Sequence, residues 1–152
     1  MEKWSFGIDN DYLIKLVLEG KKRATTSNYD ENELPVIGKQ TIIVNDNGED
    51  ACIVKTLDYK ILKFKEIDES LSNLEGEGPY NLWRENHINF FKKYNKDFND
   101  DTLVVFETFE LIEDLTKKHW HKLSVFLYFN ILLNTSINNS PYFVINSFAL
   151  NK

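Results

Sequence analysis

Asn47-Gly48 lies between two strand-like runs, residues 40–45 and 51–64, and commits the middle of this chain to a β-hairpin. The tight two-residue turn needs positive φ, which asparagine and glycine tolerate and most residues do not. A short polar run at 23–28 and a further run at 103–112 bring the strand-like segments to four. Helical patterns interrupt these segments rather than alternating with them, and no Gly-rich phosphate loop is present. A doubly wound nucleotide fold is disfavoured, and a small α+β barrel is expected.

Two helices, and a third segment of weaker helical character, interrupt those strands. Asp9-Asn10-Asp11 offers N-cap residues for a helix over 12–19, with Leu13, Leu16 and Val17 on one face and Gly20 as its stop. Residues 66–74 are weakly helical. The clearest helix is 82–94, where Trp83, His87, Phe90, Phe91 and Tyr94 form one apolar stripe. His87 on that stripe reads as a hydrogen-bonded core histidine. Residues 123–133 and 142–150 are apolar, with a polar break at 134–139. Neither reaches the roughly 18 residues of a membrane span. The region 113–152 therefore reads as a C-terminal extension packed on the body or on a partner, a surface for self- or partner association.

A length of 152 residues suits one domain with a real core. The net charge of −6 divides unevenly, into −8 for residues 1–112 and +2 for 113–152. Such a body has no general pull toward polyanions, so tight non-specific binding of long nucleic acid is disfavoured. A small or locally held nucleic-acid ligand is still compatible. The single cysteine, Cys52, excludes an internal disulfide and reads as an inert buried thiol. Met1-Glu2-Lys3-Trp4 lacks a signal-peptide pattern, and a cytoplasmic location is expected.

Glu75-Gly76-Glu77-Gly78 is where the chain names a site. Like charges two residues apart repel, and glycine gives up regular structure for unusual φ/ψ and close backbone approach. A surface loop needs neither feature, whereas a site that aims a carboxylate at a ligand needs both. Gly20-Lys21-Lys22-Arg23-Ala24-Thr25-Thr26 is the complementary stretch. Its plain reading is cations placed at the negative end of a helix dipole.

Gly20-Lys21-Lys22-Arg23-Ala24-Thr25, Glu75-Gly76-Glu77-Gly78 and Trp83-Arg84-Glu85-Asn86-His87, in this order, resemble the ASCH domains, in the longer branch carrying the Glu-Gly-Glu-Gly motif. Val104-Val105-Phe106-Glu107 is similar to the closing barrel strand of that family. The resemblance covers residues 4–112. It implies a PUA-like mixed β-barrel with flanking helices at 1–112, followed by an additional C-terminal segment at 113–152 that has no counterpart. What it implies about activity is divided. Most ASCH proteins are proposed RNA-binding modules linked to translation, a short-chain branch hydrolyses the amide of N4-acetylcytidine, and another member is reported to cut RNA.

Matched by position, the amidohydrolase residues fall on Lys22, Thr25 and Glu77. The resemblance implies Thr25 as nucleophile, Lys22 as base, and Glu77 orienting the lysine or bonding the cytosine edge. Lys21, Arg23, Thr26, Glu75, Gly76 and Gly78 are then expected to line the ligand cleft, with Glu75 supporting Glu77. The expected partner is a nucleoside or RNA, with no metal, no cofactor and no membrane. Two features differ from the short branch or complicate the match. Arg23 stands where that branch has a threonine after its lysine. In a regular strand, residues three apart face opposite sides, so Lys22 would meet Thr26, and Lys21 would meet Thr25. The sequence leaves Thr25 and Thr26 both open as nucleophile.

Three other groups carry possible chemistry. Glu107 shares a strand face with hydrophobic neighbours, and reads either as buried opposite a lysine or as a rim residue. His119-Trp120-His121 is not a metal site, because no third ligand follows at useful spacing. Trp4, Tyr12, Tyr29, Tyr59 and Tyr80 are candidates to stack on a base.

Overall fold

The computed structural model describes residues 1–117. Its elements are β1 (Glu2–Trp4), α1 (Asn10–Leu18), β2 (Ala24–Asn28), β3 (Gln40–Val44), β4 (Asp50–Lys63), α2 (Glu69–Glu75), α3 (Tyr80–Tyr94) and β5 (Leu103–Asp114). They form a mixed α+β fold around one sheet of order β1-β3-β4-β5-β2. Only β1–β3 is parallel, and the other three pairings are antiparallel. The 14-residue β4 carries the curvature. Its pairing with β5 shifts register at Ile53/Val54 and again at Thr56/Asp58, which bends and twists the strand. Among the described residues no ladder joins β1 to β2, so the curled sheet stays open along that seam.

The Asn47-Gly48 hairpin forms, but through a longer turn than two residues: Gly48 alone takes positive φ, at 78°, and its N–H donates to the Asn45 carbonyl at 2.9 Å. The hairpin also caps α1 from a distance, which the sequence did not show. Asp9, the residue before the helix, makes no side-chain cap. Asp46 instead accepts from the backbone N–H of Asn10 and Asp11 and from Asn10 Nδ2, at 3.3, 3.2 and 2.8 Å. Those bonds hold the Asp46 carboxyl below the usual carboxylate range. Strand β1 is an addition to the expected elements. The weak helix at 66–74 resolves into a short 3-10 turn at Phe64–Glu66 and α2, capped by Asp68 accepting from Leu71 N–H at 3.0 Å. Strand β5 runs two residues beyond the expected boundary at 112. The extension proposed for 113–152 therefore begins inside β5, and from residue 118 it lies outside the described residues, as does His119-Trp120-His121.

Alternation along β2 and β5 divides the core in two. Ala24, Val104 and Phe106 pack with Phe64, Ile67, Trp83, Phe91 and Phe98 against α2 and α3. On the opposite side Phe109, Val54, Ile43, Ala51 and Cys52 pack with Ile14 and Val17 of α1. Burial pushes the Cys52 thiol up to about 12, so it is inert at neutral pH. The stripe of α3 is buried at Trp83 and Phe91 but leaves Tyr94, its last residue, at 69% exposure. No helix among the described residues is long and apolar enough to cross a membrane.

Candidate functional site

Gly20 ends α1 at φ 71°, and the N–H groups of Lys21 and Lys22 turn back onto the Leu16 carbonyl at 2.9 and 3.0 Å. Arg23 N–H then donates to the Leu74 carbonyl of α2 at 2.7 Å. This stitch brings the end of α1 against the end of α2 before β2 begins. It also decides where the lysines point: Lys21 outward to an exposed pair with Glu19, Lys22 inward with 1% side-chain exposure.

The Lys22 ammonium lies 3.1 Å from Glu75 Oε2 and 2.5 Å from Glu77 Oε1. It also rests 5.1 Å from the centre of the Phe6 ring. Glu75 is wholly buried and accepts a second bond at Oε1 from the Thr26 hydroxyl, at 2.6 Å. His87 completes the cluster, with Nε2 3.5 Å from Glu75 Oε2 and Nδ1 donating to the Trp83 carbonyl at 2.9 Å. Two glycines make this possible. Gly76 caps α2 at φ 69°, and a Cβ there would lie 2.5 Å from the Lys21 carbonyl oxygen. Gly78 turns the chain into α3 at φ 107°.

Lys22, Thr25, Thr26, Glu75, Glu77 and His87 all border one cavity of about 250 Å³. Phe6, Tyr12 and Phe90 supply apolar walls. Of the expected ligand residues, Lys21 and Arg23 are exposed and do not border this cavity, because the stitch alternates the side chains of residues 21–23. Gly76 and Gly78 act through backbone conformation. Lys22 precedes β2 instead of lying in it, and it meets Thr26 only through the Glu75 carboxylate, which both bond. Among the described residues, the hydrogen bonds of Lys22 Nζ go to carboxylates and not to a threonine.

His87 is the hydrogen-bonded buried histidine that the stripe implies, and it also borders the cavity. The available signal was a polar side chain on an apolar stripe, which must find a buried partner. Glu75, Glu77 and His87 bring ligand atoms within 4.8 Å of one another, a spacing that a metal ion could use. The Lys22 ammonium already sits against both carboxylates, so a divalent ion would have to displace it.

The buried cluster ties stability to pH. Burial raises the Glu75 carboxyl, but the Lys22 ammonium and the contacts from His87 and Thr26 outweigh it and hold the group at about 2. Its folded pKa is below the ordinary 4.5, so its stabilisation is complete above that value and is lost as pH falls toward about 2. His87 behaves in the opposite sense. Burial lowers it, Glu75 raises it more, and the net shift is upward from 6.5. Its contribution is full below 6.5 and fades as pH rises through the elevated value. Thermal midpoints measured across pH should therefore fall on both sides, and His87→Gln should flatten the alkaline limb. An unchanged alkaline limb would assign that loss to another group.

Comparison with known proteins places this geometry among solved folds. A family model described as ASCH domain matches residues 2–113. An ASCH domain from Lactobacillus crispatus JV V101 is 27% identical, with a TM-score of 0.66 over 72% of this chain and 79% of that one. Protein EF3133 from Enterococcus faecalis V583 is 31% identical, with a TM-score of 0.65 over 73% of this chain and 79% of that one. The hypothetical protein PH0355, at 24% identity and a TM-score of 0.51, shares the fold. No curated protein matches the chain.

Proposed function

This chain belongs to the ASCH domain family, and we propose that its Lys22 cavity binds a nucleoside and hydrolyses the amide of an N4-acylated cytidine. One observation carries the reading. A fully buried lysine is held between two carboxylates in a cavity that also contains a threonine hydroxyl and aromatic walls. Burying these charges is expensive, and a structural role alone is served as well by apolar residues. The cavity volume of about 250 Å³ suits a single nucleoside better than a tracked RNA strand.

The chemistry follows from what each group can give. Thr25 Oγ attacks the acyl carbonyl carbon, and the C–O bond forms as the carbonyl π electrons move to oxygen. Lys22, which donates in both of its carboxylate contacts, stabilises that oxyanion. This differs from the base role the resemblance implied. Glu77 is the less buried carboxylate, at 14% side-chain exposure, and takes the threonine proton. It returns the proton to N4 as the C–N bond breaks and cytidine leaves. Water then cleaves the acyl-threonine ester, releasing the carboxylic acid and restoring the Thr25 hydroxyl.

The test is release of acetate and cytidine from N4-acetylcytidine by the full chain. Thr25→Ala should lose turnover, and Glu77→Gln should slow it by about 10²–10⁴-fold. Full activity in both variants would rule out this site. Binding without turnover on any acylated cytidine would leave a recognition module, a reading favoured by the lack of a Lys22–threonine bond among the described residues.

A further inference from the structure

A second cavity, of about 370 Å³, opens on the other side of β2 and shares only Thr25 with the chemistry above. Thr25 borders both cavities, and the edge-to-face pair Trp4–Phe6 separates them: Phe6 faces the first, Trp4 the second. The alternation of β5 places Glu107 here. It is the register partner of Thr25 and points away from the α2–α3 core that takes Val104 and Phe106.

Glu107 is a carboxyl short of partners. Among the described residues its one hydrogen bond comes from the Thr56 hydroxyl to Oε1, at 2.6 Å. The cation nearest in effect, Lys39, is paired with Glu2. Burial accordingly raises the Glu107 carboxyl above its ordinary value despite Thr56 and Lys39. The cavity lining holds Glu2, Glu33 and Glu107 against Lys39 alone. That balance repels phosphate and favours N–H donors. Trp4, 37% exposed on the rim, offers a face for a flat ring.

We propose that this cavity is a second ligand site, taking a flat phosphate-free heterocycle whose amino N–H donates to Glu107 while its ring stacks on Trp4. A carboxylate accepting from an exocyclic amine is an established way of reading a base edge. Thr56 fixes the carboxyl rotamer, so Oε2 meets the amine without further ordering of the side chain.

The experiment uses the ¹⁵N-labelled full chain and the Trp4 indole N–H signal, assigned with Trp4→Phe. Adenosine should shift that signal. Purine riboside, the same ring without the amino group, should bind about 10-fold or more weakly, and adenosine 5′-monophosphate should bind more weakly than adenosine. Glu107→Gln should weaken adenosine about 10-fold by presenting an amide N–H in place of an acceptor, with Glu77→Gln leaving its affinity unchanged. Should Glu107→Gln not fold, Thr56→Val frees the carboxyl rotamer and should weaken binding several-fold. Absence of a shift at millimolar adenosine overturns the site, as does equal binding of purine riboside. Loss in Glu77→Gln with retention in Glu107→Gln would move adenosine to the first cavity. None of these readouts depends on acetate release, so this site and the proposed hydrolysis fail separately.

Discussion

Replacing Lys22 with methionine is expected to destabilise the fold by about 3–5 kcal/mol, the usual cost of leaving a buried charge without its partner. Methionine fills much of the same space, so the loss is electrostatic rather than a packing defect. Glu75, wholly buried, would retain only the Thr26 hydroxyl and His87. Its carboxyl would then rise from about 2, because burial would no longer be opposed by the ammonium. Urea unfolding at neutral pH reads the stability change. Adding Glu75→Gln to Lys22→Met should recover part of the loss, since it removes the orphaned charge, and a double-mutant cycle isolates the coupling. A Lys22→Met protein within about 0.5 kcal/mol of the parent would mean that the lysine is not buried in solution.

Gly76→Ala is the second large effect expected, at about 2–4 kcal/mol. Two costs combine. The residue sits at φ 69°, a left-handed conformation that costs a side chain roughly 1 kcal/mol. The added Cβ would also lie 2.5 Å from the Lys21 carbonyl oxygen and 2.8 Å from its carbon. Those are backbone atoms held by the stitch between α1 and α2, so they cannot swing aside. The loop must move, and Glu75 and Glu77 flank the glycine that moves. Turnover and stability should therefore fall together. Gly20→Ala supplies the control, because Gly20 has nearly the same φ, 71°, and nothing within 4 Å of a Cβ. It should cost only about 1 kcal/mol. Equal losses at the two positions would remove the close approach as a cause.

The elements were legible where local chemistry is unambiguous. The Asn47-Gly48 turn, the Gly20 stop and the stripe of α3 each depend on neighbours within a few residues. β1 was missed because three residues carry no periodicity, and its pairing with β3 is parallel and distant in sequence. The remote cap of α1 by Asp46 was hidden for the same reason. Spacing alone also gave equal weight to Lys21 and Lys22. The Arg23–Leu74 bond separates them, and that bond spans 51 residues.

By itself, the sequence determined that Glu75-Gly76-Glu77-Gly78 is a costly arrangement of like charges and glycines, and it paired that loop with the Lys22–Thr26 stretch as a candidate site. Tertiary structure alone decided that Glu75 is the buried anchor and Glu77 the more accessible carboxylate. It also turned His87 toward that anchor and gave Glu107 a cavity of its own. The physical reason is desolvation. Charge and backbone preference are properties of a residue and its neighbours, but burial is conferred by elements far along the chain. Burial is what gives two similar glutamates different surroundings, one wholly enclosed and one partly open to the cavity.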